Sequence, residues 1–282
     1  MLIVLEAWDW RYSFASELIL SIGNHAQALA LAAKTHNVPA RIVMPQISAP
    51  SKIAGTQELG AEIHFSGYTH PERLAVVTSV MEKYPGMTLV PPYDHPAIIL
   101  GQGTMALELE QQVEQQYGRK LDAVITPLGG GGMLSGVATA LHGTGTKVFG
   151  AEPNFEGAND GEIGLAQGKR VETVSTLTIA DGLRTPVGEL TWTVISDKEK
   201  VAGVFSVTEE QILAAMRLVL ERMKLVVEPS GCVPLAVVLF NEKFRSLVER
   251  EGSTQGWNMG IVLSGGNTTV EAIGKLFSAS NT

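Results

Sequence analysis

Four consecutive glycines, Gly129 to Gly132, stand between an apolar run that ends at Pro127 and a helical pattern that continues to Leu141. No other feature constrains the fold as tightly. Glycine lets successive backbone N–H groups point into one concavity, and the first turn of the following helix adds partial positive charge, so the unit suits a phosphate. It also calls for a βα repeat around it. The neighbouring sequence supplies one: short β-rich runs alternate with helical spacing, with glycine between them, as in an α/β protein built on parallel strands.

After Asn24 the apolar positions Ala26, Leu29, Ala30 and Ala33 follow helical spacing, and Ala40 to Met44 is short and proline-bounded like a buried strand. The pattern predicts helices over 51–59, 71–84 and 104–117, and strands over 62–65, 88–90, 122–127 and 147–151. Further on it predicts a strand at 201–205, helices over 208–224 and 229–250, a strand at 259–263 and a last helix from Thr268. The proline cluster Pro91-Pro92-Tyr93-Asp94-His95-Pro96, followed by Gly101-Gln102-Gly103, marks a crossing between domains. The expected organisation is an atypical segment 1–16, a small α/β domain 17–97 and a large α/β domain 98–282.

Composition enters as a filter on partners. The 282 residues carry 21 Lys and Arg against 29 Asp and Glu, a formal charge of −8, which provides no general basic field for nucleic acid or anionic membranes. No run approaches the ~18 apolar residues needed to span a bilayer. The apolar N-terminus lacks a basic region and is interrupted by Glu6 and Asp9, unlike a signal peptide. The single cysteine, Cys232, reads as a buried small hydrophobe and fits a reducing compartment, so the expected location is cytoplasmic.

Known glycine fingerprints do not fit the turn. Counting from Gly130 and Gly132, the third glycine of the dinucleotide motif is Ser135, and the Walker lysine position holds Val137. A second glycine turn, Ser264-Gly265-Gly266-Asn267, again lies between an apolar strand and a helix, so two strand ends of one domain can face one crevice. A third turn, Ser21-Ile22-Gly23-Asn24-His25, opens the first clear helix, where an anionic group such as a carboxylate is favoured. The histidines show no zinc-type pairing, and no G-x-S-x-G elbow is present. Glu152 and Asp160 flank one loop whose carboxylates and carbonyls suit a hard cation such as Mg2+ or Ca2+; a solvated acidic loop has the same composition.

Taken together, these turns and the segments Gly101-Gln102-Gly103-Thr104, Gly129 to Gly136, Glu152-Pro153, Thr178-Ile179-Ala180-Asp181-Gly182 and Glu228-Pro229-Ser230-Gly231 resemble the serine racemase and serine/threonine dehydratase group. The resemblance is collinear over residues 18 to 278. It implies a fold-type II pyridoxal-phosphate enzyme of the tryptophan synthase β-like fold, with two open parallel-sheet domains. By that resemblance Gly129, Gly130, Gly131, Gly132 and Met133 form the phosphate cup, Ser264 meets the pyridine nitrogen, and Asn24 bonds the ring hydroxyl. Glu228 also belongs to the cofactor pocket. Ser21, Gly23, Asn24 and His25 would hold the carboxylate of a small amino-acid substrate, and Glu152, Asp160 and the Ala158 carbonyl match the family's divalent-cation positions, across a slightly longer loop. A homodimer is implied as well.

Two departures accompany these matches. The family carries its Schiff-base lysine in a Ser-Phe-Lys-x-Arg-Gly-Ala segment well upstream of the Gly-Asn-His turn, and this chain is expected to start downstream of it: Tyr12-Ser13-Phe14-Ala15-Ser16 echoes the motif with Ala15 for the lysine, but Arg and Gly do not follow and the distance to Gly23 is too short. Ile22 occupies the position where racemases place a catalytic serine. Lys34, Lys52, Lys83 and Lys224 lie on predicted helices or at their ends, where solvated or structural roles are expected. The reading that follows is a catalytically impaired homologue whose larger domain is N-terminally truncated, with Met1 to Trp10 or another subunit covering the sheet edge left open. The alternatives are a working ammonia-lyase or racemase that uses another lysine, and a non-catalytic phosphate- or nucleotide-binding or regulatory partner.

Overall fold

Parallel strands organise both parts of the chain. The computed structural model describes residues 17–20, 24–252, 254 and 256–279, and the chain divides into two units, the first ending at Gly101 and the second beginning at Gln102. Met1 to Trp10, Tyr12 to Ser16 and Ser21 to Gly23, for which roles are expected above, lie outside the described residues.

In the first unit the strands β1 (Glu17–Leu20), β2 (Ala40–Pro45), β3 (Glu62–Ser66) and β4 (Thr88–Val90) form a sheet in the order β3-β2-β1-β4, every pair parallel. Helices α1 (Asn24–Thr35), α2 (Pro50–Glu58) and α3 (His70–Lys83) make the crossovers. Alternation along β2 explains how both faces are covered. Ile42 and Met44 pack with Ala26, Leu29, Ala30 and Ala33 of α1, while Val43 between them packs with Val77 and Val80 of α3. The alanines of α1 carry little side-chain bulk, which lets the helix lie close to the sheet. Helix α3 begins in a capping box, in which Thr69 and Glu72 satisfy each other's backbone N–H groups.

The second unit repeats the plan with β5 (Ala123–Pro127), β6 (Lys147–Pro153), β7 (Gly203–Val207) and β8 (Met259–Ile261), in the order β7-β6-β5-β8 and again parallel throughout. Helix α4 (Pro96–Tyr117) leads in, α5 (Gly132–Leu141) follows β5, and α6 (Asp160–Gln167) and α7 (Glu189–Ile195) follow β6. After β7 come α8 (Glu209–Leu218), α9 (Pro229–Phe240) and α10 (Glu242–Glu251), with α11 (Val270–Ala279) after β8. Val124 and Val148 face Leu134, Val137 and Leu141 of α5; Ala123, Ile125 and Phe149 face Val233, Ala236 and Val237 of α9. Phe149 meets Phe244 edge-on at 5.3 Å between centroids, and removing a ring buried this fully costs about 3–5 kcal/mol. Among the described residues no helix is long and apolar enough to cross a membrane.

Several predicted boundaries move, each for a local reason. Helix α4 starts at Pro96 and runs unbroken through Gly101-Gln102-Gly103. Proline in the first turn of a helix lacks only a hydrogen bond that position does not make, and Gly103 is there because a Cβ would stand 2.7 Å from the carbonyl oxygen of Gly136 on α5. The helix expected over 229–250 is two, separated by Asn241, whose backbone is extended and whose side chain accepts from the N–H of Phe244 to start α10. Helix α8 passes into one π turn, Val219–Met223, and stops at Lys224 with a left-handed φ of 61°. Strand β1 and helices α6 and α7 are additions to the predicted set.

Candidate functional site

Strand β5 ends at Pro127, and the chain then enters the glycine turn before α5. Gly129 to Gly132 are buried, and among the described residues no protein group accepts from the N–H groups of Gly129 through Leu134. A buried N–H without an acceptor costs about 1–3 kcal/mol, so a run of them at a strand end marks a place shaped for an anion. The first turn of α5 adds its dipole. Gly131 has φ of 94°, and a Cβ there would lie 2.8 Å from Ile195 Cδ1 and 2.9 Å from Thr191 Cβ, so the position requires glycine twice over.

Three other loops meet this turn. A Cβ on Gly129 would lie 3.2 Å from the carbonyl oxygen of Gly182, and the N–H of Gly182 donates to Ser230 Oγ at 3.0 Å. The N–H of Glu228, the residue that precedes α9, donates to the carbonyl of Gly265 at 2.9 Å. Gly231 lies against the same residue, since its Cβ would stand 3.0 Å from Gly265 O. Cup, Asp181-Gly182 turn, Glu228 to Gly231 and the Ser264 turn are thus joined contact by contact. Strands β5 and β8 are adjacent and parallel, which puts the first and last of these loops at one end of the sheet, where open α/β sheets bind ligands. Glu228 is buried and Ser264 is exposed.

The acidic loop gathers its carboxylates as well. Glu152, fully buried at the end of β6, accepts from the N–H of Gly161 and of Glu162, each at 2.9 Å. Asp160, also buried, accepts from the N–H of Val187 at 2.9 Å. Burial pushes the Glu152 carboxyl well above its usual range, with the Asp160 charge adding to the effect, and burial raises Asp160 to about 6. Two desolvated carboxylates so placed call for a positive charge. Ala158 is buried in the same loop. Among the described residues no group of three or more His, Cys, Asp or Glu side chains is arranged as a metal centre, so a cation here would rest on two carboxylates and backbone oxygen.

Asn24 and His25 belong to the first unit and open α1. The Nε2 atom of His25 is buried without a hydrogen-bond partner, and burial lowers the imidazole to about 4, so the ring is neutral at pH 7. Of the lysines weighed from the sequence, Lys34, Lys83 and Lys224 are exposed, while Lys52 is buried on α2, whose backbone oxygen at that residue accepts from Gln27 Nε2 at 3.4 Å.

Thr191, Gly188, Ser135 and Ser230 hold the loops and were not among the expected site residues. Thr191 Oγ1 and the N–H of Gly188 donate to the carbonyl of Gly130, at 2.8 and 3.1 Å. These partners lie some sixty residues from the glycines they hold. Ser135 left a trace in the sequence as the residue that breaks the dinucleotide pattern, and Ser230 as part of the Glu228 to Gly231 segment, whereas Thr191 and Gly188 left none.

Comparison with known proteins gives the arrangement its family. Residues 18–265 match the family model described as pyridoxal-phosphate dependent enzyme. The chain is 41% identical to the L-threo-3-hydroxyaspartate ammonia-lyase of Saccharomyces cerevisiae over 265 residues, 93% of this chain and 75% of that protein. It is 37% identical to the serine racemase of Schizosaccharomyces pombe, over 91% of this chain and 75% of that one. The solved structure of maize serine racemase superimposes with a TM-score of 0.85 at 36% identity, covering 99% of this chain and 82% of the other. With parallel sheets of this order and a glycine cup at the strand ends, the chain belongs to the fold-type II, tryptophan synthase β-like family of pyridoxal-phosphate dependent enzymes.

Proposed function

We propose that this chain binds pyridoxal 5′-phosphate through its phosphate in the Gly129 to Gly132 cup and serves the chemistry of its relatives on small amino acids with a β-hydroxyl, the class of serine, threonine and hydroxyaspartate. The observation that carries this reading is the run of N–H groups from Gly129 to Leu134, buried but for half-buried Met133, with no protein acceptor among the described residues. Donors without a protein partner at the start of a helix suit a phosphate. When bound, the cofactor supplies the electron sink that acidifies the substrate's Cα–H.

The chain's own residues then have separable roles. Gly129 to Met133 hold the phosphate, Ser264 offers its hydroxyl to the ring nitrogen, and Glu228 closes the wall of the pocket. Asn24 bonds the ring hydroxyl, and the turn Ser21 to His25 takes the substrate carboxylate, with a neutral His25 at pH 7. Glu152, Asp160 and the Ala158 carbonyl hold Mg2+ or Ca2+, which relieves the buried negative charge rather than meeting substrate. Ile22 stands where racemases have a serine. The binding proposed for these residues is reversible and non-covalent, with impaired turnover, in a cytoplasmic homodimer.

Titration of the chain with pyridoxal phosphate, followed by dialysis and borohydride treatment, tests this reading. Saturable binding that dialysis removes, and that Gly130→Asp abolishes, is the expected result. Binding indifferent to Gly130→Asp would overturn the cup. A single peptide fixed by borohydride would overturn the non-covalent reading in favour of the alternative in which another lysine forms the imine.

A further inference from the structure

We propose that Thr191 is a positioning residue for the phosphate cup: its hydroxyl fixes the Gly130–Gly131 peptide so that the Gly131 N–H faces the phosphate. This rests on the cup reading above. A trans peptide is planar, with its C=O and N–H pointing in opposite directions, and none of the described peptide bonds is cis. Thr191 Oγ1, at 2.8 Å, and the N–H of Gly188, at 3.1 Å, both donate to the carbonyl of Gly130. That carbonyl is anchored toward α7. The N–H of the same peptide is directed away from α7, on the side where acceptors are absent.

Glycine makes this anchoring necessary. A peptide flanked by two glycines can turn over at small steric cost, and the turned form would present a partial negative oxygen to the anion in place of a donor. Thr191 is itself fixed: it is fully buried, and its carbonyl accepts from Ser135 Oγ at 3.2 Å. The N–H of Ser135 in turn donates to the carbonyl of Gly131 at 2.9 Å, which directs the N–H of Gly132 back off the helix start. Gly130, Thr191, Ser135 and Gly131 therefore close a ring of hydrogen bonds behind the cup. A glycine in place of Ser135 would open that ring.

The test compares the affinity of the full chain for pyridoxal phosphate with its affinity for pyridoxal, which lacks the phosphate, in the wild type, Thr191→Val and Thr191→Ser. Thr191→Val is expected to weaken the phosphorylated ligand about tenfold and leave pyridoxal unchanged, and Thr191→Ser to stay within about twofold of wild type. Ser135→Ala, which removes the outer hydrogen bond, is expected to show the same selectivity at about threefold, and is read where Thr191→Val does not fold. An unchanged ratio of the two affinities in Thr191→Val, or in Ser135→Ala where that variant is read, overturns the inference, as does an equal fall in both. A wild type without preference for the phosphorylated ligand overturns the cup reading itself, whereas a preference retained in Thr191→Val overturns only the role of Thr191.

Discussion

The Glu209 carboxylate accepts a hydrogen bond of 2.6 Å from the Thr178 hydroxyl and a second, of 2.9 Å, from the N–H of Ile179. Glu209 is the first residue of α8, where the helix dipole favours a negative charge, and Thr178 is fully buried. The Arg184 side chain grips the same loop by donating to the carbonyl of Thr178. The loop it fixes ends at Gly182, against the glycine cup. Glu209→Ala is expected to lower stability by about 2 kcal/mol and Glu209→Gln by about 1 kcal/mol, because the amide keeps one acceptor. Urea unfolding measures both, and equal losses would show that the charge-assisted bonds contribute nothing.

The acidic loop makes a pH-dependent prediction. Asp160 titrates near 6 in the native chain against 3.8 when unfolded, raised by burial. Between those values the native state keeps a proton that the unfolded chain releases, so stability falls as pH rises, and the full loss is present above about 6. At 1.36 kcal/mol per pH unit this amounts to about 3 kcal/mol, and Glu152, also raised, acts in the same direction. His25, lowered to about 4, has the opposite slope over part of that range, so the informative quantity is wild type minus Asp160→Asn. That difference should fall between pH 4 and 7 in chelator and recover with Mg2+ or Ca2+ at pH 7. A flat difference would contradict the buried-charge account.

Gly131 and Gly143 separate backbone strain from crowding. Both have positive φ, 94° and 80°, but a Cβ on Gly131 meets Ile195 and Thr191 within 3 Å, whereas one on Gly143 meets nothing within 4 Å. Gly143→Ala should cost about 1 kcal/mol, the backbone penalty alone. Gly131→Ala should cost at least about 2 kcal/mol more, from overpacking. Paired denaturation curves give the comparison, and similar costs would mean that α7 yields freely.

Cys232 should be inert in the folded chain. It is fully buried on α9, and burial, followed by the nearby Glu228 charge, raises its thiol to about 12. A thiol reagent at pH 8 is expected to label it only on unfolding, at a rate that follows the population opened by urea. Prompt labelling of the native chain would show that α9 opens locally.

The βα repeat and the glycine turn were legible because each depends on residues close together in sequence. Pro127, four glycines and the α5 pattern fit within fifteen residues or so, and no distant group is needed to recognise a strand, a turn and a helix. Helix α4 was read too short for the converse reason. Gly101-Gln102-Gly103 has the composition of a break, and only the approach of α5, whose Gly136 carbonyl leaves no room for a Cβ on Gly103, shows why glycine stands inside a helix. Asn241 likewise divides α9 from α10 through a single side-chain cap that periodicity does not register.

The sequence by itself determined the family, the alternation of strands with helices and the place of the glycine turn between β5 and α5. Tertiary structure decided how those residues are held. Thr191 anchors the carbonyl of Gly130 from a helix that hydrophobic spacing did not reveal, Ser230 meets Gly182 across 48 residues, and Glu152 becomes a buried charge only when Gly161 and Asp160 fold over it. The reason is physical. Hydrophobic period and turn chemistry are local properties of the chain, whereas the direction of a peptide N–H and the desolvation of a carboxylate are set by whatever the fold places against them.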